Sequence, residues 1–82
     1  MSKLKQTLKY IRRHKHTNDL HSFKIFIENG IAFVSYENEK YNVLAFVDVE
    51  GYEAQLEYSY DTVDECAGAL KLLDAKTETI EM

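Results

Sequence analysis

Three short polar connections divide the middle of this chain and constrain it more than any other feature. Asn29-Gly30 separates the β-rich runs Phe23 to Glu28 and Ile31 to Tyr36. Asn-Gly is a strong two-residue hairpin signal, because both residues tolerate the positive φ of a type I′ turn. Glu37-Asn38-Glu39-Lys40 leads to a third run, 41–49, and Glu50-Gly51 leads to a fourth, 52–60. Connections this short join antiparallel neighbours, since a parallel crossover needs a far longer segment. The expected sheet is a four-stranded antiparallel meander.

Helices flank it. Leu4, Leu8 and Ile11 recur at i, i+4 and i+7 among Lys and Arg, which predicts a basic amphipathic helix over about 3–14. Residues 14–22 are polar and aperiodic and read as a loop. Thr62 with Glu65 three residues on is a capping-box pattern, and Val63, Cys66, Ala67, Leu70 and Leu73 form an apolar stripe. A helix over about 62–75 follows. The polar tail 76–82, with Ile80 and Met82 two apart, reads as a frayed end or a short extra strand. The expected fold is a single α+β domain spanning 1–82: helix, meander, and a C-terminal helix packed on one sheet face.

The turns also sort the faces. They set Ile27 opposite Ala32, Ile25 opposite Val34, Phe23 opposite Tyr36, Val34 opposite Val43, Ala45 opposite Leu56 and Val47 opposite Ala54. One face is then almost wholly apolar or aromatic, from Phe23 to Tyr60, and forms the core. The other carries Glu53, Gln55, Glu57 and Ser59 on the fourth strand, and a second apolar patch of Phe26, Ile31, Phe33, Leu44 and Phe46 on the first three. A patch like this needs a cover. The candidates are the N-terminal helix, a second copy of the chain as a homodimer, or a partner protein. The same register opposes Asp48 to Glu53, an unfavourable pair; a bulge at Gly51, shifting the fourth strand by one residue, would relieve it.

The 82 residues hold 10 Lys and Arg and 14 Asp and Glu, for a net charge of −4. Their distribution is uneven. Residues 1–16 contain Lys3, Lys5, Lys9, Arg12, Arg13 and Lys15 and no acid. Residues 41–70 contain no Lys or Arg, but carry Asp48, Glu50, Glu53, Glu57, Asp61, Asp64 and Glu65. A lone cysteine fits a reducing compartment, and no apolar run approaches the ~20 residues that span a bilayer. A cytoplasmic protein without a membrane partner is expected.

No constellation points to catalysis. His14, His16 and His21 lie near one another, but their spacing matches no defined zinc site and Arg12, Arg13 and Lys15 repel a cation. Cys66 falls on the apolar stripe and reads as a packed thiol rather than a nucleophile. Glu53 and Glu57 are ~13 Å apart along one strand, too far for most paired-carboxylate chemistry. Tyr52, Tyr58 and Tyr60 read as rings lining the core edge. No catalytic residue, metal or cofactor is assigned.

The expected function is therefore non-enzymatic protein binding. The acidic run from Asp48 to Glu65 places carboxylates where a basic cleft expects phosphates, so that a small inhibitor occupies the basic surface of its partner. In architecture alone the order of elements and the acid content resemble some small phage-encoded inhibitors of bacterial defence systems. The order is also similar to double-stranded-RNA-binding domains, but the basic second helix that resemblance implies is absent, since 62–70 hold no Lys or Arg. The alternative is a small nucleic-acid-associated regulator that binds phosphates through Lys5, Lys9, Arg12, Arg13 and Lys15.

Overall fold

In the computed structural model, which describes residues 3–13 and 22–81, the chain runs α1 (Lys3–Arg13), β1 (Ser22–Ile27), β2 (Gly30–Glu37), β3 (Lys40–Val49), β4 (Tyr52–Tyr60), α2 (Val63–Leu72) and β5 (Lys76–Glu81). The strands form one antiparallel sheet in the order β4-β3-β2-β1-β5. The α+β class and the meander are as expected. The sheet has five strands rather than four, because the polar tail pairs with the free edge of β1.

The way α2 ends explains that fifth strand. Ala75 N–H donates to Leu70 O and Asp74 N–H to Lys71 O, each at 3.0 Å. This is the double hydrogen bond of a Schellman motif, with Asp74 in the left-handed conformation at φ 56°. It stops the helix at Leu72, short of the expected position 75, and turns the chain back along β1. There Phe26 N–H donates to Thr79 Oγ1 at 2.9 Å, and Lys24 meets Glu81 at 2.8 Å. At the other end of α2, Thr62 Oγ1 accepts from Glu65 N–H at 3.1 Å, so the capping residue acts as expected.

Two turns adopt positive φ at both central residues: Asn38 and Glu39 at 54° and 60°, and Glu50 and Gly51 at 51° and 85°. The second keeps β4 in plain register, with Asp48 opposite Glu53 and no shift at Gly51. The first hairpin departs from expectation. Ile27 pairs with Gly30, Ile25 with Ala32 and Phe23 with Val34. Its turn is Glu28-Asn29, with Asn29 at φ 62°, and Gly30 already lies in the strand. The pairing thus slips by two residues, which preserves every face because side chains alternate with period two. Gly30 is held in β2 by a close approach: a Cβ built there would lie 1.9 Å from Phe46 O on β3.

Both helices pack on the same sheet face. Leu4, Leu8 and Ile11 of α1 join Cys66, Ala67 and Leu70 of α2 over Phe23, Ile25, Ile27, Ala32, Val34, Tyr36, Tyr41, Val43 and Ala45. So α1 does not cover the second apolar patch. The geometry gives a reason: five strands span ~19 Å, and one helix is only ~10 Å wide. Two helices side by side are needed to close the core. Tyr41 fastens α1 to the sheet, its fully buried hydroxyl donating to Leu8 O at 3.3 Å.

Glu28 N–H donates to Leu73 O at 3.0 Å, which sets the first hairpin turn beside the end of α2. A side-chain hydrogen bond to Asp74, reinforced by the charge of Asp74, pushes the Glu28 pKa up. The folded chain therefore holds this proton more tightly than the unfolded chain does. That contribution to stability is present below the ordinary glutamate pKa and is lost as pH rises through the raised native value. Relative to wild type, Glu28→Gln should raise the melting temperature slightly more at neutral than at mildly acidic pH. Thermal melts across that interval check this; an unchanged slope contradicts it.

Candidate functional site

With both helices on one face, no described residue covers the other. This open face displays Phe26, Ile31, Phe33, Leu44 and Phe46, the second apolar patch read from the sequence. Phe26 and Phe33 are each 43% exposed, and the other three are half-buried. The rings of Phe33 and Phe46 meet edge to face, 6.0 Å between centroids at 83°. Two shallow depressions flank this contact. One of about 600 Å³ is bordered by Ser35, Asn42, Leu44, Glu57 and Ser59. The other, of about 500 Å³, is bordered by Phe26, Ile31, Asp48 and Glu53.

Carboxylates rim the patch on the β4 side. Asp48 and Glu53 face each other directly, and Glu57 lies opposite Leu44. None of the three forms an ion pair with a described residue. Like charges set directly opposite cost stability, so Asp48 and Glu53 form an uncompensated negative pair beside the aromatic ridge. On the β5 side, Lys24 pairs with Glu81 and lies 5.9 Å from the centre of the Phe26 ring.

The rest of the acidic run lies elsewhere. Glu50 occupies the β3–β4 turn. Asp61 pairs with Lys40 at 3.0 Å and Asp64 with Lys5 at 3.2 Å. Glu65 accepts the Thr62 hydroxyl at 3.0 Å. The seven acids named from the sequence thus do not share one surface; Asp48, Glu53 and Glu57 accompany the patch. Lys5, Lys9 and Arg12 line a groove of about 1100 Å³ between α1 and α2, with Asp61 and Asp64 in the same lining. The basic head therefore meets acids of its own chain. Arg13 is exposed at the end of α1. Lys15, His14, His16 and His21 lie outside the described residues.

In comparisons with family models, curated proteins and solved structures, none matches this chain at a significant level.

Among the described residues, no group of three or more His, Cys, Asp or Glu is placed to hold a metal ion. No helix among them is long and apolar enough to cross a membrane. Cys66 is fully buried, and burial pushes its thiol up to about 12. The thiolate is the reactive form, so thiol reagents at mildly alkaline pH should label Cys66 at the rate of global unfolding. Mass spectrometry with and without denaturant checks this; fast labelling of the folded chain contradicts it. Tyr60 packs against the core, whereas Tyr52 and Tyr58 are 79% and 41% exposed. They flank the uncovered edge of β4. The Lys24–Glu81 pair depends on the tail 76–82 forming a strand, one of the two readings its sequence allows, and no local pattern sets Glu81 beside Lys24.

Proposed function

We propose that this chain is a non-enzymatic protein-binding module whose open sheet face docks on a partner with an apolar centre and a basic rim. The observation that carries the reading is the placement of both helices on one face, which leaves an aromatic ridge beside three carboxylates that have no ion-pair partner among the described residues. Apolar rings at the centre supply most of the affinity in such an interface. The rim charges steer approach and select a partner of opposite sign. Lys or Arg side chains reaching Asp48 and Glu53 relieve the repulsion between them, so a basic partner is favoured over an apolar one. An inhibitor that masks the basic surface of a nucleic-acid-binding enzyme is one protein of this kind.

The second reading, phosphate binding by α1, has weaker support. The ion pair of Lys5 with Asp64 and the position of Asp61 in the same groove place negative charge where a phosphate would sit.

The test is affinity capture with four baits in parallel, with and without nuclease: wild type, Phe33→Asp, the double variant Glu53→Lys and Glu57→Lys, and the double variant Arg12→Ala and Arg13→Ala. The reading requires one protein retained by wild type and by the arginine variant, lost by Phe33→Asp, and weakened by the lysine variant. Retention that depends on the arginines and on nucleic acid overturns it.

A further inference from the structure

The two edges of the sheet are built differently. β5 is six residues long, Lys-Thr-Glu-Thr-Ile-Glu, and its pairing with β1 is interrupted by an irregularity between Lys24 and Phe26. Short, irregular, charged edges resist pairing with another strand. β4 is nine residues long and pairs with β3 in unbroken register from Tyr52 to Tyr60. It has no Pro, no Lys and no bulge, and every residue in it is exposed or half-buried.

The two-residue turn Glu50-Gly51 closes on the pair Val49–Tyr52, which in such a hairpin is hydrogen-bonded. The alternation of an antiparallel ladder then turns the main-chain N–H and C=O groups of Glu53, Gln55, Glu57 and Ser59 outward. They are unpaired by β3, and no other described strand pairs with this edge.

We infer that β4 of a second copy pairs with this edge, antiparallel about a twofold axis at Leu56. The charges select that register. Centred on Leu56, all nine residues pair: Tyr52 faces Tyr60 of the second copy, Ala54 faces Tyr58, and Leu56 faces its own counterpart. On the other face Glu53 meets Ser59 and Gln55 meets Glu57, so no carboxylate opposes another. Moving the axis to Gln55 sets Glu53 against Glu57 of the second copy, and moving it to Glu57 sets that glutamate against itself. Like charges directly opposite disfavour both. Axes further out leave nearly half the strand unpaired. In the selected register each copy also covers Tyr52 and Tyr58 of the other. Symmetric closure through one self-complementary strand gives a dimer rather than a filament. The dimer is a continuous ten-stranded sheet, and its two open faces lie side by side with their β2 strands ~24 Å apart. The inference rests on the β4 edge and is independent of the function proposed for the open face.

The test is sedimentation of the full chain from micromolar to millimolar concentration. A species of twice the 9.6 kDa monomer is expected. Gln55→Glu opposes two pairs of carboxylates and should weaken the dimer about tenfold; Gln55→Lys should tighten it by a similar factor. Gln55→Pro removes an outward N–H where an edge strand tolerates its loss, and should give a folded monomer by circular dichroism. The register is read by cysteine cross-linking. Leu56→Cys should form a disulfide across the axis, where Cα atoms of a non-hydrogen-bonded pair lie ~4.5 Å apart, and Ala54→Cys should not. Phe33→Asp should leave the dimer intact. A wild type that remains monomeric throughout overturns the inference. So does a dimer indifferent to the Gln55 variants, a dimer lost in Phe33→Asp, or cross-linking through Ala54→Cys in preference to Leu56→Cys.

Discussion

Gly30→Ala should cost about 3 kcal/mol or more, from a total margin of about 4–12 kcal/mol for a domain of this length. The added methyl would lie 1.9 Å from Phe46 O and 3.0 Å from the Val47 Cα, both backbone atoms. No rotamer change relieves a clash with backbone. β2 must separate from β3 at Gly30–Val47, beside the hydrogen bond that Asp48 N–H donates to Asn29 O at 2.8 Å. The other two glycines calibrate the result. Gly51 has nothing within 4 Å of a built Cβ but sits at φ 85°, so its alanine variant should lose about 1 kcal/mol through backbone strain alone. Gly68 lies in α2 with open space around it, and its alanine variant should gain up to about 1 kcal/mol from helix propensity. Urea unfolding of the three variants gives the order: Gly30→Ala far below wild type, Gly51→Ala modestly below, Gly68→Ala above. A Gly30→Ala midpoint near that of wild type would show that the two strands do not approach as closely as described.

Phe33→Asp is expected to reduce partner affinity about 100-fold or more, the loss of a central aromatic anchor plus a charge buried against the partner. The same change should cost the fold only about 1–2 kcal/mol, since Phe33 is already 43% exposed and its main loss is the edge contact with Phe46. This separation of effects distinguishes a binding residue from a core residue. Leu8 and Ile25, both fully buried, should show the reverse on truncation to alanine: ~2–5 kcal/mol of stability lost, with affinity retained in the fraction that stays folded.

Much of this arrangement can be read along the chain, and the exceptions have physical causes. The capping pair Thr62 and Glu65, the turn Glu50-Gly51 and the alternation from Tyr41 to Tyr60 act locally, so pattern and structure agree there. The first hairpin turns at Glu28-Asn29 rather than at Asn29-Gly30, and Gly30 instead serves the close approach of β2 to the Phe46 backbone, a tertiary requirement that no local pattern reveals. β5 carries one strong apolar residue, Ile80, in an otherwise polar run. Its strand character comes from the edge of β1 that receives it, which a local pattern does not reveal. Of the three candidate covers for Phe26, Ile31, Phe33, Leu44 and Phe46, the N-terminal helix is removed, because it joins α2 over a sheet five strands wide that needs both helices. The acidic run divides for a similar reason: Asp48, Glu53 and Glu57 alternate onto the open face, while Asp61 and Asp64 follow the chain around to the helices and meet Lys40 and Lys5.

The central claim is that the open sheet face is the one that binds. Hydroxyl-radical footprinting of the chain alone and in its captured complex tests this residue by residue. Phe26, Phe33 and Phe46 report on the open face, and Tyr10, 38% exposed on α1, reports on the helical side. The account requires strong protection of the three phenylalanines on binding and little change at Tyr10. Protection at Tyr10 with the phenylalanines as reactive as in the free chain would contradict it and move the binding surface to α1.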